Sequence, residues 1–98
     1  MTTTTPPLLQ RLEAILPELI ELRRHLHAHP ELSGEEHQTA ALISGELRQC
    51  GWRVREGVGR TGVMAELGPQ SGPQLGLRVD MDALPVEERT GLPYASLR

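Results

Sequence analysis

Apolar residues recur at steps of three and four from Leu8 to Leu26, through Leu9, Leu12, Ile15, Leu16, Leu19 and Leu22. That spacing lays one apolar stripe along a helix. Arg11, Glu18, Glu21 and Arg24 take the polar face. Pro17 removes the hydrogen bond to the Glu13 carbonyl, so a kink or a restart is expected there, and Pro30 closes the helix by pushing His29 out of the helical region. Ser33 and Glu36 stand at the spacing of a capping box, which predicts a second helix over about 34–50. Ala40, Ile43 and Leu47 form its buried stripe, and Gly51 is its left-handed stop. Ahead of both helices, residues 1–7 combine threonines with two prolines and read as a disordered tail, leaving 8–98 as the structured part.

The period then changes. Residues 52–55 alternate apolar with charged, 61–67 are β-compatible around Val63 and Met64, and 75–79 alternate Leu75, Leu77 and Val79 with Gly76 and Arg78. GPQSGP between the last two candidates has the chemistry of a hairpin turn, and Gly57, Gly59 and Gly62 read as turn residues between strands. Residues 80–98 show no sustained period and are expected to be loop. The fold class is therefore α/β, two N-terminal helices followed by strands. About 19 residues of loop at the end are unusual for a complete compact domain, which suggests part of a larger one.

At 98 residues the chain is one small domain or a piece of a larger one. Trp52 and Tyr94 are its only aromatics, so any core is built from Leu, Val, Ile and Ala. All ten basic residues are Arg, and thirteen acids give a net charge of -3. That balance carries no electrostatic footprint for nucleic acid or an anionic membrane. No apolar run approaches the roughly 20 residues of a membrane span. A single cysteine, Cys50, allows no internal disulfide and fits a reducing cytoplasm; its place at a helix end marks it as a small core residue.

Two clusters could carry chemistry. Asp80 and Asp82, the only aspartates, lie two apart at the end of the third strand candidate, where an extended backbone turns both carboxylates to one side. Such a pair shares a cation, raises one another's pKa, or simply caps a strand end in solvent. The run HLHAHPE offers His25, His27 and His29. Residues two apart point about 200° away from each other on a helix, so only His25 and His29 could reach one ion. Two histidines need further ligands, which Glu36 or His37 could supply only after a turn. A structural role at the helix C-terminus, favoured by the dipole, is the simpler reading.

Residues 22–36, LRRHLHAHPELSGEE, followed some 40 residues later by LRVDMDALPVEERTGLPYAS over 77–96, resemble the start of the zinc-dependent amidohydrolases of the aminoacylase and carboxypeptidase-like superfamily. The similarity points to the branch with hippurate hydrolases, N-acetyl-diaminopimelate deacetylases and auxin-conjugate hydrolases. It implies an incomplete part of a larger metallopeptidase catalytic domain, with a mixed sheet between helices and a two-metal site, zinc or manganese, that cleaves the amide of a small N-acyl amino acid. In that chemistry a metal-bound water attacks the acyl carbonyl. Much of the superfamily carries His-x-Asp-x-x-Pro; here Asp80 takes the His position and Asp82 the Asp position, ahead of Pro85. The resemblance makes Asp82 and Asp80 the catalytic candidates. Asp82 orients a metal ligand, and neither residue is assigned as a ligand. The family's His-x-Cys-Gly-His-Asp ligand segment is not in the chain. The 98 residues alone are thus expected to be inactive, to hold no metal stably, and to self-associate through exposed apolar faces. The alternatives are a catalytically inactive truncated chain or small interaction module, and a metal-binding domain through His25 and His29.

Overall fold

The computed structural model describes residues 6–97 and divides into two units, one made of the first helix with the segment from Glu87 onward, the other of Pro30–Val86. In the first unit, α1 (Pro7–Ala28) opens on a proline at its first helical positions, where the missing N–H costs nothing. The tail assigned to residues 1–7 lies, for its first five residues, outside the described residues. α1 runs through Pro17 as one helix, so the turns on either side carry the lost bond and no restart occurs. It ends as expected before Pro30, with the His29 N–H bonded to the His25 carbonyl at 3.1 Å. Its stripe from Leu8 to Ile20 is exposed, and only near Leu22, Leu26 and Ala28 is the helix half-buried. The later segment meets it there, the Leu97 N–H donating to the Ala28 carbonyl at 2.9 Å.

In the second unit, α2 (His37–Gln49) starts three residues later than the capping-box spacing predicts. The reason is a turn: Gly34 takes a φ of +83° and the Glu35 N–H closes on the Leu32 carbonyl at 2.9 Å, which spends Ser33 inside the turn. The cap comes instead from Glu31, whose carboxylate accepts the N–H groups of Gln38 at 3.2 Å and Thr39 at 2.6 Å. An anion there also meets the positive end of the helix dipole. The far end is as expected. Gly51 adopts a φ of +87°, its N–H bonds to Arg48 and that of Trp52 to Leu47, the two bonds of a left-handed helix stop. Cys50, expected in the core, is the exposed capping residue of that stop. Ala40, Ile43 and Leu47 are half-buried, while the buried positions of α2 are Thr39 and Ser44.

β1 (Arg53–Val58) and β2 (Gly62–Glu66) form an antiparallel pair with Val54 opposite Ala65 and Arg55 opposite Met64. The hairpin thus joins the first two strand candidates, correcting the expectation that GPQSGP joins the last two. Its backbone explains why. Gly57, Gly59 and Arg60 all take positive φ, and a register shift lies between Arg55 and Val58. A Cβ at Gly62 would run into the Val58 carbonyl oxygen, so that position accepts only glycine. Arg60 folds back so that its guanidinium lies 3.8 Å from where a Cβ on Gly34 would stand.

The third candidate, 75–79, joins no sheet among the described residues. Leu75 is 98% exposed and Leu77 92%. Extended backbone resumes its pairing only at Ala83, in an isolated parallel bridge to Leu32. No hydrophobic residue among those described is fully buried.

Candidate functional site

Asp80 and Asp82 stand on an exposed stretch with half-buried Met81 between them, the alternation that an extended chain imposes. Asp80 pairs loosely with Arg78 at 3.6 Å, both side chains largely in solvent. Asp82 is exposed and directly precedes the point where the segment is tied down, the Ala83 N–H donating to the Glu31 carbonyl at 2.8 Å. Among the described residues, no three His, Cys, Asp or Glu side chains gather closely enough to hold a metal ion. Among the described residues the two aspartates have no third such side chain close enough to complete a metal site with them.

The histidine run resolves into a helix end. His29 Nδ1 donates to the His25 carbonyl at 2.9 Å, which occupies that ring nitrogen, and the two rings lie 4.5 Å apart with a tilt of 32°. His27 points elsewhere. Its Nε2 bonds Glu88 Oε1 at 2.6 Å, and its ring meets Tyr94 edge-on while the Arg24 guanidinium sits 4.3 Å from the Tyr94 ring centre. Glu88 is the hub of this clasp. The Thr90 hydroxyl donates to its Oε2, the Ser96 N–H to its Oε1 at 2.9 Å. Those donors, led by Thr90, hold its carboxyl below the ordinary value of 4.5 against the opposing effect of burial. Its pairing with His27 spans 61 residues and left no mark in the sequence pattern.

Glu36, expected to reach back in a capping box, does something different. Its Oε2 accepts the Thr61 hydroxyl at 2.7 Å and its Oε1 the Glu35 N–H at 3.0 Å, in a buried contact between the turn before α2 and the tip of the hairpin. The Thr61 hydroxyl is the main reason the Glu36 carboxyl also lies below 4.5. Glu31 was not singled out by its sequence context either. Its only local sign is that an acid lies upstream of a helix whose own N-cap residue, Glu36, makes no side-chain cap bond.

Compared with known proteins, no family model matches the chain. The chain is 56% identical to a "Probable hydrolase" of Synechocystis sp. over 86% of its own length and 22% of that protein's. It is 50% identical to an N-acetyl-L-cysteine deacetylase of Bacillus subtilis over 87% of itself and 21% of that protein. The crystal structure of a dinuclear metal binding peptidase from the M20 family, also of Bacillus subtilis, superimposes with a TM-score of 0.79 at 41% identity, covering 88% of this chain and 24% of the other. The chain thus spans about a fifth of the length of the curated relatives it matches.

Proposed function

The chain belongs, as a partial segment, to the M20 family of metal-dependent amidohydrolases and peptidases, and from that premise we propose that the whole protein hydrolyses the amide bond of an N-acyl amino acid or a similar small amide. The observation that carries the reading is the 50% identity to an N-acetyl-L-cysteine deacetylase across 86 residues, which takes in both the histidine run and the aspartate motif.

Asp82 and Asp80 are the residues this chain contributes to the reaction. Asp82 is the better held, because the anchored Ala83 follows it directly. Its exposed carboxylate has no partner of its own assigned in the structure and is free to orient a neighbouring basic or ligand group through a charge-assisted hydrogen bond. Asp80 lies two residues farther from the anchor and supports the same face. The divalent ion that this family reading entails, zinc or manganese, would be held by residues outside the segment described, so the 98 residues alone neither bind it stably nor turn over substrate. The exposed leucines of 75–79 make the isolated chain self-associate. No helix among the described residues is long and apolar enough to cross a membrane, and we place the protein in the reducing cytoplasm on its single cysteine.

The test is Asp82→Asn in a protein extended to the length of its relatives. It keeps the shape and weakens the charge-assisted bond. Activity on N-acyl amino acids or affinity in a zinc titration should fall about 10- to 100-fold, while His27→Gln lowers only the melting temperature. Unchanged activity and metal affinity in Asp82→Asn, with zinc binding abolished in a folded His27→Gln, would transfer the site to the histidine run.

A further inference from the structure

Glu31 holds both the start of α2 and the aspartate segment. Its two carboxylate oxygens accept the N–H groups of Gln38 and Thr39 at 3.2 and 2.6 Å, and its own carbonyl accepts the Ala83 N–H at 2.8 Å. The N–H of Ala83 belongs to the same planar peptide unit as the Asp82 carbonyl. Fixing one fixes the other, which leaves rotation about the Asp82 Cα–C bond as the single backbone torsion between the anchored plane and the Asp82 side chain. Upstream the segment offers no such support, since 69–82 lie in no strand and Leu75, Leu77 and Val79 are exposed.

We propose that Glu31 is a positioning residue for the Asp80–Asp82 motif, locking the first turn of α2 to the peptide that follows Asp82. The inference rests on the reading of Asp82 given above. A carboxylate suits the task because two orphan helix donors need two acceptors and a negative charge is favoured at that helix end. Glutamine offers one acceptor and turns an N–H₂ group toward the other donor, so the cap loosens and the carbonyl of the same residue shifts with it.

Amide hydrogen exchange on the full 98-residue chain reads the coupling directly. Glu31→Gln should speed exchange about tenfold at Thr39 and at Ala83 together. Ala41→Gly, which weakens α2 at an exposed position without touching the cap, should speed exchange along the helix and leave Ala83 protected. Should Glu31→Gln fail to fold, Glu31→Asp, which retains the charge on a shorter arm, should loosen Thr39 and Ala83 in the same proportion. In the extended protein Glu31→Gln lowers kcat with KM for the N-acyl amino acid retained. Ala83 exchange that is unchanged in the Glu31 variants, or that rises as much in Ala41→Gly, overturns the proposal whatever Asp82 does. An intact kcat in Asp82→Asn with the Glu31–Ala83 coupling present would instead overturn the reading of Asp82.

Discussion

Two stretches of this chain carry the same alternation of apolar and polar residues, yet only one becomes a sheet. Between Arg53 and Glu66 the strands pair, with Val54, Val63 and Ala65 half-buried. Between Leu75 and Val79 the apolar side chains stand in solvent. The difference is where each stretch must find its partner. The hairpin closes on itself through three residues, of which Gly59 and Arg60 take the positive φ that permits the reversal, and a short loop costs little entropy to close. The second stretch follows the turn residues of GPQSGP but has no neighbouring strand among the described residues. Alternation specifies which face is apolar; it does not supply the second row of N–H and C=O groups that makes a strand.

The contrast can be broken most directly at the hairpin tip. Gly62→Val puts a Cβ into the Val58 carbonyl and should cost about 3 kcal/mol, the scale of backbone strain at a special position. Fast amide exchange at Val54 and Ala65 would report the lost pairing; a retained hairpin would mean the turn is more plastic than its φ angles imply.

Thr61→Val acts next, through pH. The ionised form of Glu36 favours the folded state fully above the ordinary value of 4.5, and that benefit drains away as pH falls through the lowered folded-state value. Without the Thr61 hydroxyl the carboxyl returns toward 4.5, so stability at neutral pH drops and its decline in acid flattens. Urea midpoints of both chains between neutrality and about pH 3 check the sign.

Ser44→Ala should work in the opposite direction. The Ser44 hydroxyl is wholly buried and has no hydrogen-bond partner, so removing it should raise the urea midpoint by about 1 kcal/mol equivalent. The smallest effect belongs to the unpaired stretch. Leu77→Ala should leave the stability of this chain within about 0.5 kcal/mol, where truncating a packed leucine costs about 2 to 5. A loss in the packed range would show that 75–79 is paired in solution.

Where sequence and structure agree, the signal was local. The three- and four-residue steps of α1 and the glycine that ends α2 act within one or two helical turns, and both were legible. Pairings across distance were not. Ser33 fits a capping box as well as any residue, and nothing in its neighbourhood says that Gly34 will bend it away and leave the task to Glu31. GPQSGP has better turn chemistry on paper than the stretch around Gly59, but a turn makes a hairpin only when both flanking strands exist. The aspartates were legible as a pair from their spacing; that Ala83 beside them is fastened to Glu31 was not, because 52 residues separate partners that meet only after folding.

Gly34 carries a consequence for the variation this chain can tolerate. The Arg60 guanidinium of one turn lies beside the bare backbone of the other at ordinary contact distance, so the constraint at 34 is set by its own backbone. Any side chain at 34 meets a strained backbone at a φ of +83°, while its Cβ would stand in ordinary contact, 3.8 Å, with the Arg60 guanidinium. A saturation library should therefore find 34 the more intolerant site. Smaller residues at 60 should leave that backbone strain untouched, so a change at 60 should not rescue a substitution at 34.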